Sequence, residues 1–302
     1  MQTNSSQPDN NQKGHVRRLM IFFALVYVAE GLGQVSGLIN QPLTYYLKSV
    51  FGWGPDRVTE YLTVLTLPWV IKPVYGILSD FIPLFGYRRK SYLFVANFLA
   101  TGAYLWMTRT TQTGPIILAL LLTAFGMAAS STLCGAVMVE NGKKFSLSGT
   151  FVNQQWLWFH IASVVTAFGG GWLTQYLDPT SAFHTAALIV AFAPLGVMFG
   201  CWFLIAEEKA QINMTQLKIS TRALLKTFKS RVIWLVGGFL FLYNFSPSFG
   251  TPLYYHMTDD LKFSQEFIGI LGALASVGAI VGAVGYEWIQ RQMTLKKLLY
   301  LS

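Results

Sequence analysis

The chain has 302 residues, of which 53% are hydrophobic and only 12% are charged. Soluble domains carry about twice that charged fraction, so the composition excludes an ordinary soluble protein. The net charge of +9 could indicate nucleic-acid binding, but the positive residues fall in short loops between apolar runs, which favours a lipid bilayer as the partner and excludes nucleic acid.

Apolar runs of about 20 residues recur along the chain, and each is long enough to cross a bilayer as a helix. They predict an all-α membrane protein with about eight complete transmembrane helices. We place these helices at 19–47, 57–79, 91–109, 114–140, 151–177, 181–205, 232–258 and 264–288.

Four regions follow from this pattern. Residues 1–18 are polar and are predicted to form a disordered cytoplasmic N-terminus. Residues 19–205 should form a six-helix transmembrane bundle, 206–231 a cytoplasmic linker, and 232–302 the start of a second bundle. Within the linker, apolar residues near helical spacing alternate with basic ones from Leu217 to Phe228, which predicts either an amphipathic surface helix or a solvated basic linker.

Positive charge is unequally divided between the two sides of this arrangement. One side holds 17 of the 22 Lys and Arg residues, in segments 13–18, 88–90, 143–144, 209–231 and 291–297. The positive-inside rule places this side, with the N-terminus, in the cytoplasm. We therefore expect a multi-pass protein of the cell (inner) membrane.

The two halves of the chain repeat each other. The run Gln41-Pro42-Leu43-Thr44-Tyr45-Tyr46 is echoed by Thr251-Pro252-Leu253-Tyr254-Tyr255, and the next helix in each copy reaches an acid, Asp80 or Glu287, before a basic loop. A parallel repeat of six-helix units is the plan of major facilitator transporters. The sequence stops at Ser302, near the start of a ninth helix. The second bundle is therefore predicted to be truncated, either because the chain is a fragment or because it cannot form the full two-bundle cavity by itself.

Three stretches within residues 42–93 carry a resemblance to a known family: TYYLKSVFGWGPDRV, LPWVIKPVYGILSD and PLFGYRRKSYL. They resemble the folate–biopterin transporter family of the major facilitator superfamily. The resemblance implies the major facilitator fold and transport of a folate- or pterin-like small molecule together with protons. It departs at 134–140, where members have an Asp-Ala-Leu-Val-Val-Glu-like run: Glu140 is kept, but Gly135 takes the aspartate position.

Two charged residues fall inside apolar helices. Glu30 must be paired, hydrated or protonated there, so we expect it to bind a proton or a substrate donor, with a structural hydrogen bond between helices as the alternative. Lys72 lies between Pro68 and Pro73 and could reach Glu30, an anionic substrate group, or a purely structural ion pair. An unbroken first helix would place Gln34 and Gln41 on the face that carries Glu30.

Uncharged polar residues on the fifth and seventh predicted helices could line an aromatic, amide-rich cavity or bond between helices. The predicted substrate and proton pathway is Glu30, Gln34, Lys72, Gln154, Gln155, Tyr243 and Asn244.

A second set of charges lies at the cytoplasmic ends of the helices. Asp80 ends the second helix, where a carboxylate opposes the helix dipole and needs a cation. Arg88 or Arg89 can supply it with paired hydrogen bonds, and Glu140 could complete the network. We expect these four residues to form a gating network that holds the outward-open state.

The remaining acids of the outer loops are expected to be simply solvated. They are Asp56, Glu60, Asp178, Asp259, Asp260 and Glu266. The two cysteines, Cys134 and Cys201, have no metal or redox spacing and are predicted to be small core residues.

No hydrolase, metal or nucleotide motif occurs in the sequence, so neither an enzyme nor a cofactor is predicted. We expect a secondary transporter that works by alternating access and is monomeric if full length. The alternatives are a facilitator-type exporter of another organic solute and a non-transporting membrane sensor or assembly protein.

Overall fold

The computed structural model describes residues 10–210, 219, 222, 226–244 and 249–290, and the fold given below is that of these residues. The first half contains α1 (Asn10–Gly33), α2 (Asn40–Phe51), α3 (Pro55–Thr63), α4 (Leu67–Val70), α5 (Lys72–Phe81), α6 (Lys90–Met107), α7 (Thr113–Phe145), α8 (Ser148–Tyr176) and α9 (Pro179–Leu204). The second half contains α10 (Arg231–Asn244), α11 (Gly250–Tyr255), a π-helical turn (His256–Asp260) and α12 (Gln265–Gln290).

Helical segments occupy all eight positions predicted for membrane helices. Within the described residues, four segments are long and apolar enough to cross a bilayer by length and composition: Pro55–Phe81, Thr113–Phe145, Pro179–Leu204 and Gln265–Gly282. Of the predicted linker helix, Ile219, Arg222 and 226–228 are helical, and the rest lies outside the described residues. The predicted echo of Asp80 at Glu287 cannot be compared, because that side chain lies outside them too.

The first predicted helix, 19–47, is in fact two helices, and the first of them begins at Asn10, so the prediction of disorder was wrong for 10–18. The chain turns sharply between Gly33 and Asn40, and a Cβ at Gly37 would overlap the carbonyl oxygen of Leu32, so the turn needs a glycine. The Tyr104 hydroxyl donates a hydrogen bond to the Gly33 carbonyl that the break leaves free. Gln41 therefore lies on a separate helix from Glu30, which corrects the single shared face expected from the sequence.

The second predicted helix, 57–79, is interrupted as its prolines predict. A 3₁₀ turn at Val64–Thr66 separates α3 from α4, and the backbone leaves helical geometry again at Ile71. Pro68 and Pro73 occupy the first turns of α4 and α5, where a missing N–H costs nothing. Lys72 consequently stands at the first residue of α5, directly after a break.

Two apolar clusters fill the first half, one toward each end of its helices. We call the end that carries 88–90 and 143–144 the basic end, and the end that carries Lys48 and Asp178 the opposite end. The basic-end cluster includes Phe22, Phe23, Phe151 and both cysteines, which are fully buried as predicted. The opposite-end cluster includes Leu43, Tyr46, Tyr104 and Phe183, and it also takes in Tyr254, Tyr255 and Ile268 from the second half.

The second half packs on the first chiefly through α12 and α8. A Cβ at Gly171 would lie 2.8 Å from the Cα of Gly269, so the two backbones approach as closely as glycine allows. In contrast, the side chains of α10 from 231 to 243 are exposed.

Candidate functional site

A layer of polar side chains separates the two apolar clusters of the first half. Glu30 follows the basic-end cluster along α1, Asn97 stands between the two clusters on α6, and Ser130 and Ser131 do so on α7. All four side chains are buried, with Glu30 only 8% exposed. Polar groups at this depth need partners, because burial without a hydrogen bond is costly.

Three helices bring charge together in this layer. Lys72 Nζ donates to the Ser131 hydroxyl at 3.3 Å, and the Ser131 side chain also interacts with the Glu30 carboxylate. Glu30 and Lys72 interact electrostatically without a direct ion pair. The buried Glu30 Oε2 has no hydrogen-bond partner among the described residues. The acid and the lysine are thus linked through one hydroxyl, and one carboxylate oxygen is left open to a proton or a ligand.

Two cavities meet at the break between α1 and α2. The first, of about 520 Å³, is lined by hydroxyl, amide, aliphatic and tryptophan side chains of the first half and by Gly250, Thr251 and Tyr254. The second, of about 430 Å³, lies between α1, α8 and α12 and includes His160. Gln34 lines both cavities, and its role in a substrate or proton pathway stays a prediction.

Lys72 lies beside the first cavity. Its Nζ is 4.4 Å from the centre of the Trp69 ring, and that ring forms part of the cavity wall. A cation over the face of tryptophan is stabilised by the ring quadrupole. The Trp69 ring therefore connects the charged cluster to the first cavity.

At the basic end, Arg89 joins two carboxylates. Its Nη2 atom lies 2.8 Å from Asp80 Oδ1 and 2.7 Å from Glu140 Oε1. The guanidinium is buried while both acids are about half exposed. The Arg88 side chain is exposed and makes no ion pair within the described residues, which corrects its place in the predicted network. Both arginines precede the first residue of α6, and of the two only the Arg89 side chain is buried and paired with the acids.

A linker carboxylate completes this arrangement. Glu207 accepts hydrogen bonds from three successive backbone N–H groups, those of Arg88, Arg89 and Lys90, at 2.8–3.3 Å. These N–H groups begin α6, where the helix dipole favours an anion. The Lys90 ammonium donates in turn to carbonyls at the C-terminus of α9, at 3.1 Å to Trp202 and 3.4 Å to Ile205.

At the opposite end, the two halves are joined by polar contacts. The Gln41 amide donates to the backbone and side-chain oxygens of Gln265 at 2.8 and 2.9 Å, and the Tyr254 hydroxyl donates to the same side chain at 2.8 Å. Lys48 forms an ion pair with Asp259. These contacts join the two halves at the opposite end while the Asp80–Arg89–Glu140 ion pairs are formed at the basic end. The ion pairs therefore do not require the opposite end to be open.

The expectation of simply solvated acids was wrong for four residues. Asp259 pairs with Lys48, Asp260 pairs with His256 at 2.6 Å, and Glu266 accepts a hydrogen bond from Tyr176 at 3.2 Å. Asp178 caps α9, and its hydrogen bonds from Ser181 and Thr180 lower the pKa of that carboxyl. For Asp178, the reason is that the first N–H groups of a helix have no backbone partner and bind a carboxylate. Composition alone does not show this.

Three of the remaining predicted pathway residues, Gln154, Gln155 and Tyr243, line neither of these two cavities. Gln154 accepts a hydrogen bond from Trp158 at 2.7 Å and lines a separate apolar cavity beside Arg17, and Gln155 is half-buried on α8. Tyr243 is exposed and stacks on Phe239. The side chain of Asn244 lies outside the described residues.

A protein-family model, that of the BT1 family, matches residues 32–302. The chain belongs to the BT1 family. It is 28% identical over 270 residues to a folate-biopterin transporter of Synechocystis sp., covering 87% of this chain and 52% of that protein. It is 26% identical over 305 residues to folate transporter 1 of Plasmodium falciparum, covering 98% of this chain and 58% of that protein. The chain thus spans somewhat over half the length of these BT1-like relatives, and the resemblance to folate–biopterin transporters is confirmed.

Among solved structures, the D-xylose-proton symporter has a similar fold. The TM-score is 0.59 at 11% sequence identity, and the match covers 87% of this chain and 66% of that one. The BT1 chain therefore has the major facilitator fold and is a multi-pass membrane protein, as its apolar helices predict.

Sequence reasoning missed three contributors to these sites in the BT1 chain. Ser131 gave no signal, because serine is common in apolar helices. Glu207 follows an apolar run on the basic side, and an acid at that place is a usable signal for a capping role. The pairing of Lys48 with Asp259 joins residues 211 positions apart, and only the repeat of the two halves hinted at it.

Proposed function

We propose that this chain works as a secondary transporter by alternating access. The observation that carries the proposal is the buried Glu30–Ser131–Lys72 cluster, which lies between the two apolar clusters of the first half and beside a cavity lined by both halves. Buried ionisable groups inside membrane helices usually mark a path for ions or substrate. The named relatives are transporters, and the fold is that of a family whose halves move about a central cavity.

A folate- or pterin-like compound is the proposed substrate. Support comes from the names of the relatives and from the first cavity, where Trp69 offers a stacking face and Gln34, Asn40 and Tyr254 offer hydrogen bonds. Lys72, over the same Trp69 ring, is the cation that would meet an anionic group of the substrate.

Protons are the proposed coupling ion, carried by Glu30. The unpartnered Oε2 gives the acid a place for a proton, and its link through Ser131 makes the charge state of Glu30 matter to Lys72. When Glu30 is protonated, Lys72 loses its nearest negative charge and attracts an anionic substrate more strongly.

Contacts at the two ends of the helices are the proposed gates. The Gln41–Gln265 and Lys48–Asp259 contacts close the opposite end in this structure, and the Asp80–Arg89–Glu140 ion pairs brace the basic end. By the positive-inside rule, the basic end faces the cytoplasm of a cell with this protein in its inner membrane.

The test is uptake of labelled folate and of a labelled pterin into vesicles that contain the protein, with and without an imposed proton gradient. We expect gradient-dependent uptake that Lys72→Ala abolishes, while Lys209→Ala, at an exposed linker position, leaves it intact. Absence of uptake of both compounds by correctly inserted protein would contradict the substrate assignment.

A further inference from the structure

A cleft of about 340 Å³ lies between the start of α6 and the end of α9 at the basic end. Its lining is largely apolar and is formed by Phe85, Tyr87, Phe94, Val95, Cys201 and Trp202. Lys90 and Ser91, the first residues of α6, complete it. The cleft lies apart from the central cavities, so transport as proposed above leaves it without a role.

This cleft faces away from the second half of the molecule. Helices α6 and α9 pack on each other and on α1 and α7, whereas the second half packs chiefly on α8. The large apolar side chains around the cleft point outward, with Trp202 at 65% and Phe203 at 71% exposure. In a membrane protein such a surface contacts lipid, and Trp and Tyr mark the interface with the headgroups.

Phe85 stands out at the rim of the cleft. Its side chain is 80% exposed, and its backbone has a left-handed φ of 53°. A bulky residue with positive φ is uncommon. If this ring were surrounded by water, it would contribute no hydrophobic stabilisation to the fold. A ring that rests on a lipid chain accounts for the exposure of this large apolar side chain.

Lys90 lines the cleft, and Arg88 stands in the chain between the lining residues Tyr87 and Lys90. Lys90 has three N–H donors and uses two on neutral carbonyls, so its charge is not neutralised there and one donor remains. Arg88 is exposed and makes no ion pair among the described residues, and the Lys209 side chain lies against Gly86. The carboxylate of Glu207 is already engaged by the backbone N–H groups of 88–90.

We propose that this cleft binds an anionic phospholipid. One acyl chain fills the apolar groove between α6 and α9, and the phosphate lies on the free donor of Lys90 and on Arg88. An anionic headgroup matches this charge, whereas a zwitterionic lipid would bring its own cation to a positive mouth. Because Lys90 adjoins Arg89, the bound lipid also holds the start of α6 in place beside the Asp80–Arg89–Glu140 ion pairs.

The test uses the protein in nanodiscs of equal parts phosphatidylcholine and phosphatidylglycerol, followed by mass spectrometry of the lipids that remain bound after detergent extraction. We expect phosphatidylglycerol to be enriched about 25-fold over phosphatidylcholine, because each of the two basic residues near the anionic headgroup supplies about fivefold. Arg88→Gln keeps the backbone bond to Glu207 and should lose most of this enrichment. Val95→Trp fills the groove, leaves every cation in place, and should lose it too.

Lys144→Gln is the matched control, because Lys144 is a basic-end lysine outside this cleft. Its enrichment should equal that of the unmodified protein. Equal retention of the two lipids, or enrichment that survives both Arg88→Gln and Val95→Trp, would overturn the proposal. Complete loss of enrichment on adding inorganic phosphate would also overturn it, since the anion alone would then account for binding.

Discussion

Ser131 brings a carboxylate and an ammonium to one point between three helices. A direct ion pair would hold the two charges together, and separating them would leave two buried charges without compensation. A hydroxyl between them can donate to the carboxylate while it accepts from the lysine, so either partner can change its charge state without losing its hydrogen bond. This arrangement suits a site whose charge must change in each cycle.

Glu30→Gln tests the proton role at the scale of one residue. Glutamine keeps the size and hydrogen bonds of the side chain but cannot carry a proton, so uptake should continue and change less than about twofold across the pH range in which the unmodified protein responds. The measurement is initial uptake as a function of external pH.

Glu60→Gln is the control for this change, because Glu60 is an exposed acid on α3 at the opposite end. It should leave the pH profile unchanged. A Glu30→Gln protein with the full pH dependence would move proton binding to another group.

Residue spacing predicted part of the site and missed part of it. Asp80, Arg89 and Glu140 were paired correctly, because a helix-end acid needs a cation and the basic loop follows directly. The choice between Arg88 and Arg89 depended on the direction in which each side chain leaves the start of α6, which spacing does not give. Ser131 could not be found, because nothing in sequence distinguishes it from Ser130, which bonds instead to Asn97 at 3.1 Å.

At the scale of elements, Glu207 and Lys90 cap each other's helices by hydrogen bonds to the free backbone groups at the helix ends. The acid follows α9 and caps the start of α6, while the lysine begins α6 and caps the end of α9. Each charge complements the dipole of the helix it caps. The linker is thereby tied to the loop that carries Arg89.

Glu207→Gln tests this coupling through hydrogen exchange at the backbone amides of 88–90. Loss of the negative charge weakens three hydrogen bonds, and charge-assisted bonds are about twice as strong as neutral ones, so exchange should accelerate several-fold. The neighbouring acid supplies the control: Glu208 is exposed, and Glu208→Gln should leave exchange unchanged. Equal acceleration in both variants would refute a specific cap.

The contact between α8 and α12 also belongs to this scale. Gly171→Ala would place a methyl group 2.8 Å from the Gly269 Cα and 2.9 Å from the Gln265 carbonyl oxygen, so the helices must move apart. We expect slower disulfide cross-linking between cysteines placed at 175 and 265, where the Gln175 side chain and the Gln265 backbone are 3.0 Å apart.

Gly278→Ala, on the other helix of this contact, α12, is the matched control, because nothing lies within 4 Å of the added methyl group. Cross-linking should be unaffected there, and helix propensity should even favour the change by up to about 1 kcal/mol. If Gly171→Ala cross-links at the unmodified rate, the close approach of the two backbones is not needed to hold the halves together.

The sequence predicted where helices lie more accurately than where they break. All eight predicted positions are helical, because apolar length alone decides this in a bilayer. The break after Gly33 was missed, since glycine within an apolar run also permits close packing, and only the hydrogen bond from Tyr104 shows how the break is stabilised. The proline-bounded break before Lys72 was foreseeable, because proline removes a backbone donor.

At the scale of the molecule, the opposite end joins the two halves through Lys48 and Asp259. The hydrogen bond from Lys48 lowers the pKa of Asp259 below its ordinary value of 3.8. The stabilisation is therefore fully present above that ordinary pKa, and it is lost as the pH falls through the lowered pKa of the folded protein. The closed opposite end should thus be insensitive to pH across the neutral range.

Asp259→Asn should open this end more often. An exposed ion pair contributes roughly 0.5–1 kcal/mol, which corresponds to about a two- to fivefold rise in the open population. The rise can be measured as faster labelling of Thr44→Cys, a buried position on the wall of the first cavity, by a membrane-impermeant thiol reagent. Cys134 and Cys201 are both buried and should contribute little background.

Asp260→Asn is the control, because Asp260 pairs with His256 on its own turn and does not link the halves. It should label at the unmodified rate. Equal labelling rates for Asp259→Asn and the unmodified protein at neutral pH would show that the ion pair does not hold the opposite end closed.

The two ends of the molecule depend on different lengths of chain. Among the described residues, the basic-end cluster extends along the chain as far as Ile205, and the contacts of the linker with the 86–90 loop as far as Ala210. The opposite-end cluster needs Tyr254, Tyr255 and Ile268. Since chains are made from the N-terminus at about 5–20 residues per second, the basic end can finish folding seconds before the residues that close the other end leave the ribosome. During biosynthesis, the first half would thus be folded at the basic end and remain open at the opposite end until the second half is synthesised.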